Sequence, residues 1–192
     1  MAVCVLMLAM PVAMAAKVAQ PAEDAKNPPP AVALNTYQRF EIAPIGIIAP
    51  FAGQKGNEVA RERLQLNLDE RANPLLKEWN AAPAGDSPRT LKITPEIRDI
   101  RFITGGKRFF AGAFAGDSAV RMAMKLTDAE TGEVIAEPEF YQHANAMGAT
   151  YSFGATDKTM LIRITNMATE YLRSNYAQAV GSAVSVAPDI EN

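Results

Sequence analysis

The ten residues from Ser118 to Thr127 constrain this chain more than any others, because their apolar side chains fall on alternate positions without a break. Val120, Met122, Met124 and Leu126 point one way, and Arg121, Ala123, Lys125 and Thr127 point the other. A period of two is the geometry of an extended strand with one buried face and one wet face. The turn Asp128-Ala129-Glu130-Thr131-Gly132-Glu133 follows, with Gly132 where a hairpin loop needs a positive φ, and Val134 to His143 is predicted to return as the partner strand. A half-buried hairpin needs a cover, and two segments with helical periodicity supply it.

The first follows Asn57, expected as its cap. It places Leu64, Leu68, Ala72, Leu75, Leu76 and Trp79 on one stripe, with Arg61, Glu62, Asp69, Glu70 and Lys77 opposite. Asn73-Pro74 interrupts it, predicting two short helices or a kinked one. The second starts at Thr156, a cap with Asp157 in the first turn, and carries Met160, Leu161, Ile164, Met167, Ala168, Tyr171 and Leu172 on one side. Upstream, Phe40, Ile42 and the run Pro44 to Ile48 read as a first strand. Thr90 to Ile103 reads as another, whose buried parity switches between Ile93 and Ile100, so that Pro95 or a bulge must shift the register. The expected fold class is α+β, with element order β-α-β-β-β-α: a sheet of about four strands in an antiparallel meander with both helices on one face.

The ends of the chain read differently. Ala2 to Val12, AVCVLMLAMPV, is uncharged and apolar for eleven residues, too short to span a bilayer but suited to the core of an export signal. Ala13-Met14-Ala15 has small residues at alternate positions, which predicts cleavage before Ala16, and the basic residues such a signal normally begins with are expected upstream of Met1. Residues 1–15 are thus a signal peptide, 16–36 a Pro-rich linker, 37–176 a single α+β domain and 177–192 a loose tail or edge extension. The sole cysteine, Cys4, lies in the signal, follows Val3 and has no apolar segment ahead of it, so neither a disulfide nor a lipid attachment is expected there. Nineteen Lys and Arg against twenty-one Asp and Glu, interspersed, leave a net charge of −2 and no field for nucleic acid.

Catalytic signatures are sparse. His143 is the only histidine and reads as a surface strand residue; Ser118 sits in no nucleophile elbow; Thr104-Gly105-Gly106-Lys107-Arg108 lacks the spacing of a phosphate loop; and the acidic turn around Asp128, Glu130 and Glu133 puts its glycine one position too early for a calcium loop. No metal and no cofactor are expected. The unusual stretch is Gly105 to Gly116, GGKRFFAGAFAG, with four glycines and three phenylalanines. Either Phe109, Phe110 and Phe114 fold back to cap the sheet, or, with Lys107 and Arg108, they touch a membrane surface or a partner protein.

The block GGKRFFAGAFAGDSAVRMAMKLTDAETGEVIAEPEF, with ATDKTMLIRI and YLRSNY in the last helix, resembles an uncharacterised family of secreted and lipid-anchored bacterial envelope proteins, a domain of unknown function. The element order is also similar to that of the curli-secretion CsgG and TolB amino-terminal group. The resemblance implies an envelope protein in assembly or transport machinery, in the periplasm or outside the cell and at most peripheral to the outer membrane, with no catalytic residues to carry over. The expectation is a non-enzymatic protein that binds an envelope protein, a membrane surface or a ligand. Two further readings stand beside it: a periplasmic enzyme using carboxylates such as Asp117, Asp128 and Glu137, and a homo-oligomeric, ring-forming subunit.

Overall fold

The computed structural model describes residues 18–102, 118–144 and 155–185, and for 155–157 the backbone alone. The residues singled out in the 105–116 stretch, namely Lys107, Arg108, Phe109, Phe110 and Phe114, lie outside the described residues, as do Asp117 and the export signal.

The α+β class holds. In chain order the elements are β1 (Lys26–Asn27), a 3-10 turn (Leu34–Thr36), β2 (Arg39–Ile42), β3 (Gly46–Ile47), α1 (Lys55–Asn80), β4 (Thr90–Arg101), β5 (Ser118–Asp128), β6 (Val134–Ala136), β7 (Glu139–Ala144), α2 (Ala155–Ala177) and β8 (Ser182–Ala183). The main sheet has six strands rather than about four, ordered β2-β4-β5-β6, with β3 also on β4 and β7 also on β5. Two of the expected strands are each broken in two, and each break holds a proline: Pro44 between β2 and β3, Pro138 between β6 and β7. A residue without an N–H cannot continue a ladder on that side.

The antiparallel meander expected for the whole sheet is confined to β4 through β7. Both β2 and β3 run parallel to β4 (Phe40 opposite Leu91, Ile47 opposite Ile97), because α1 carries the chain back to the starting end before β4 begins. In β4 the register shifts between Ile97 and Asp99, whereas Pro95 stays in register opposite Met124. The bulge, not the proline, moves burial from Leu91, Ile93 and Ile97 to Ile100.

Helix α1 is continuous through Pro74, and its buried side is Asn57, Ala60, Leu64, Leu68, Ala72, Leu76 and Trp79. Asn57 is not its cap: it lies within the first turn and donates its side-chain amide to the Phe51 carbonyl at 3.2 Å. Likewise α2 begins at Ala155, so Thr156 is inside it. The helices pack against each other and against the face carrying Val120, Met122, Met124, Leu126 and Phe140, all fully buried, which is the cover that the alternation demanded. No helix among the described residues is long and apolar enough to cross a membrane.

Residues 18–36 do not run free as a solvated tether. Val18, Asn27 and Leu34 are buried, β1 pairs antiparallel with β8, and the Tyr171 hydroxyl donates to the Pro28 carbonyl at 3.2 Å. Proline-rich backbone is extended already, so laying it along a sheet edge costs little conformational entropy. Of the last residues, 182–185 form an edge extension rather than a loose tail: the Tyr141 N–H donates to the Val184 carbonyl, 2.9 Å, and Val184 donates to Ala25, 2.8 Å.

Candidate interaction surface

The sheet has two faces, and among the described residues only one is roofed by helices. On the other, Glu41, Lys92, Thr94 and Lys125 are exposed across β2, β4 and β5. Toward β7 the face is partly covered by the strap of residues 18–25 and by Val184, which enclose Ala119 and Tyr141 in a small second cluster. Between the bare and covered parts runs a row of charges. The bulge leaves Arg98 among three carboxylates: Glu96 at 3.6 Å, Glu139 at 3.3 Å, and Glu137 in a short pair. Glu139 also accepts from Arg121 at 3.0 Å, and the Arg121 guanidinium lies 5.8 Å from the centre of the Tyr141 ring and donates to the Ala19 carbonyl. These groups are a fifth to two-fifths exposed, so the row contributes more to orientation than to stability.

At the opposite end of β5, Asp128 is buried and serves the hairpin turn. Its Oδ1 accepts from the backbone N–H groups of Glu130 and Thr131 at 2.9 and 3.0 Å, and Oδ2 accepts from Arg89 at 2.7 Å. The Arg89 guanidinium sits 4.6 Å from the centre of the Tyr37 ring. Arg89 and the turn amides hold the Asp128 carboxyl well below the usual carboxylate range, while burial pushes the Tyr37 hydroxyl up. A depressed folded-state value stabilises the fold fully above the ordinary carboxylate pKa of about 3.9, and the stabilisation is lost as pH falls from there toward the folded value. Asp128→Asn is therefore expected to lower the melting temperature at pH 7, and the gap to the wild type is expected to narrow between pH 4 and pH 3. A gap that stays constant with pH would show that the charge is not what matters.

Of the carboxylates named as an alternative catalytic set, Asp117 lies outside the described residues, and Asp128 and Glu137 do not meet. Asp128 is bound to Arg89 at the Leu91 end of the sheet, and Glu137 to Arg98 several residues along. His143 is half-buried on the outer face, its ring 6.0 Å from that of Tyr141. Among the described residues no group of three or more His, Cys, Asp or Glu is placed to hold a metal. A groove of about 480 Å³ lies between the helices, lined by Arg71, Asn166, Met167, Thr169, Glu170 and Arg173. Both its arginines are engaged, Arg71 with Asn166 at 2.6 Å and Arg173 with Glu170 at 2.9 Å.

The register fixes where the long connections leave the sheet. Arg101 stands opposite Ala119, and Ser118 opposite Ala144, so the described strand residues on either side of 103–117 and the one that precedes 145–154 lie at one end of neighbouring strands. The chain entering at Val18 packs on Ala119 at that end too. Neither this convergence nor the Arg98 row was read from the sequence. The parity switch between Ile93 and Ile100 was the one available sign of the bulge.

No family model matches the sequence, and no curated protein matches it. Solved structures to which the chain is similar include the PelC dodecamer from Paraburkholderia phytofirmans, with 14% identity and a TM-score of 0.37 over 72% of this chain and 91% of that one. Another is a candidate lipoprotein from Caulobacter crescentus, with 17% identity and a TM-score of 0.33 over 69% and 90%. A third is a DUF330 protein from Xanthomonas campestris, with 9% identity and a TM-score of 0.41 over 78% and 89%. Likeness at this level says nothing about activity, which must be argued from this chain's own residues.

Proposed function

We propose that this is a non-catalytic exported protein of the bacterial envelope that docks a protein partner in assembly or transport machinery. Contact is made through the open outer sheet face together with Lys107, Arg108, Phe109, Phe110 and Phe114. The observation that supports the reading is the sheet face carrying Glu41, Lys92, Thr94 and Lys125, which no helix covers among the described residues, with Arg101 and Ser118, the described strand residues on either side of 103–117, at the end of its strands. An open sheet face bordered by the partly exposed Arg98 and Arg121 suits recognition better than chemistry. The carboxylates Asp128, Glu137 and Glu139 support the same reading, since each is bound to an arginine.

The test is capture of the tagged mature protein from cross-linked cell envelopes, with Phe109→Ser/Phe110→Ser/Phe114→Ser as the variant. The variant is expected to keep its melting temperature within a few degrees and to lose the cross-linked partner by about tenfold or more, the loss of hot-spot aromatics. Loss of folding would instead assign the three rings to a cap on the sheet. Co-sedimentation with anionic vesicles in place of protein capture would assign the loop to a lipid surface.

A further inference from the structure

The open part of the outer sheet face carries charge of both signs, sorted along the strands. At one end Lys92 of β4 and Lys125 of β5 are exposed. Lys92 stands opposite Thr127 and Lys125 opposite Thr94, so the two lysines are diagonal neighbours on one face. Glu41 of β2 stands opposite Lys92, yet among the described residues none of these three is in an ion pair. This end keeps an excess of one positive charge. Two residues beyond Thr94 lies Glu96, opposite Ala123, which is itself opposite Glu139. There Glu96, Glu137 and Glu139 gather on Arg98, and Glu139 also on Arg121, three carboxylates to two guanidinium groups. The row keeps an excess of one negative charge.

A partner of one charge sign meets repulsion at one end of such a face, whereas a second copy turned end for end meets opposite charge at both. We propose that the outer face is a contact between two copies of this chain, related by a two-fold axis that crosses the strands between Thr94 and Glu96. This rests on the reading of that face as a docking surface and names its partner. Lys92 and Lys125 of each copy then lie over Glu96, Glu137 and Glu139 of the other, because a two-fold contact is made twice with the same residues. Close to the axis a side chain meets its own counterpart, where a charge repels itself, and the exposed residue there is the uncharged Thr94. Three strands about 4.8 Å apart over about ten residues give a footprint of roughly 30 by 14 Å, about 400 Å² per copy. Stable complexes bury about 800 Å² per partner, so this contact is weak, reversible and carried by charge.

The experiment is sedimentation equilibrium of the mature protein purified from cell envelopes, at up to about 1 mM protein in about 20 mM and about 500 mM salt, whose screening lengths differ about fivefold. The wild type is expected to dimerise at low salt and to weaken by about tenfold or more at high salt. Lys92→Glu/Lys125→Glu makes both ends acidic and Glu96→Lys/Glu137→Lys makes both basic. Each variant alone is expected to be monomeric, and an equal mixture of the two to recover the dimer at low salt. Trp79 emission, arising in the aromatic group of Phe40 and Tyr176, reports whether each remains folded. Should the second variant fail to fold, Thr94→Cys places a lone thiol near the axis, since Cys4 lies in the signal. Its disulfide between copies is expected to form about tenfold faster at low salt than that of Leu66→Cys. Leu66, on α1, is 69% exposed and away from this face. A wild type that stays monomeric, a Lys92→Glu/Lys125→Glu variant that dimerises like the wild type, or equal rates for the two cysteine variants overturns the proposal. If the wild type is monomeric but Lys92→Glu/Lys125→Glu loses the cross-linked envelope partner, the docking reading stands with a different protein on the face; if that partner is retained, the docking reading falls as well.

Discussion

Gly181→Val is expected to destabilise the protein by more than about 3 kcal/mol and to release both ends of the chain from the sheet. Gly181 has φ +75°, in the left-handed region, so any side chain there is strained. Space is also lacking: a Cβ built on Gly181 falls well inside contact with the Asn27 carbonyl oxygen and 3.0 Å from the Pro29 nitrogen, both backbone atoms that cannot turn aside. The glycine is held in place by Asn175, which is fully buried at the end of α2 and whose side-chain oxygen accepts from the N–H groups of Val180 and Gly181, each at 2.8 Å. Expelling Gly181 therefore undoes the β1–β8 pairing, and with it the bonds of Asn27 to Glu139 and of Val184 to Tyr141. Gly132→Ala is the control. Its φ is also +75°, but nothing lies within 4 Å of its Cβ position, so only the backbone strain of about 1 kcal/mol applies. Urea unfolding of both variants separates the two terms, and equal shifts in midpoint would show that the clash is relieved by local movement.

Trp79→Ala is expected to cost about 3–5 kcal/mol. Trp79 is the chain's only tryptophan and is 7% exposed at the end of α1. Its ring stacks on Tyr176 of α2 with centroids 4.2 Å apart and planes at 17°, and Phe40 of β2 packs at 5.0 Å and 56°. Three elements distant in sequence meet at this one side chain, so truncation leaves a cavity that none of them can fill alone. Trp79→Phe, which retains a ring, is expected to recover more than half of the loss. Because the native fluorophore is removed in both variants, unfolding must be followed by circular dichroism. A cost below about 1 kcal/mol for the alanine variant would mean that the helix ends are not tied to β2 through this cluster.

How much of this was legible in advance varies with the range of the interaction. The stripe from Leu64 to Trp79, except the half-buried Leu75, and the alternation from Val120 to Leu126 are buried as read, since a helix or strand period repeats within a few residues. The hairpin turn was legible through Gly132, whose φ of +75° is a local requirement. Asp128 is legible only as a member of the acidic hairpin turn, and its burial beneath Arg89 depends on a strand pairing that no local pattern encodes. Arg98, Glu137 and Glu139 likewise meet only because β4, β5 and β7 are neighbours.

The sequence by itself determined the α+β class, the buried faces of both helices and of β5, and the register shift that β4 had to contain, because these follow from side-chain period and backbone sterics. Only the tertiary structure decided that β2 lies parallel to β4, that the outer sheet face carries the Arg98 row, and that residues 18–34 and 182–185 close the edge of β6 and β7. The physical reason is the kind of bond involved. The edge is closed by backbone amides, Asn27 and the bare Cα of Gly181, groups that leave no hydrophobic period to read and meet their partners only when segments more than a hundred residues apart come together.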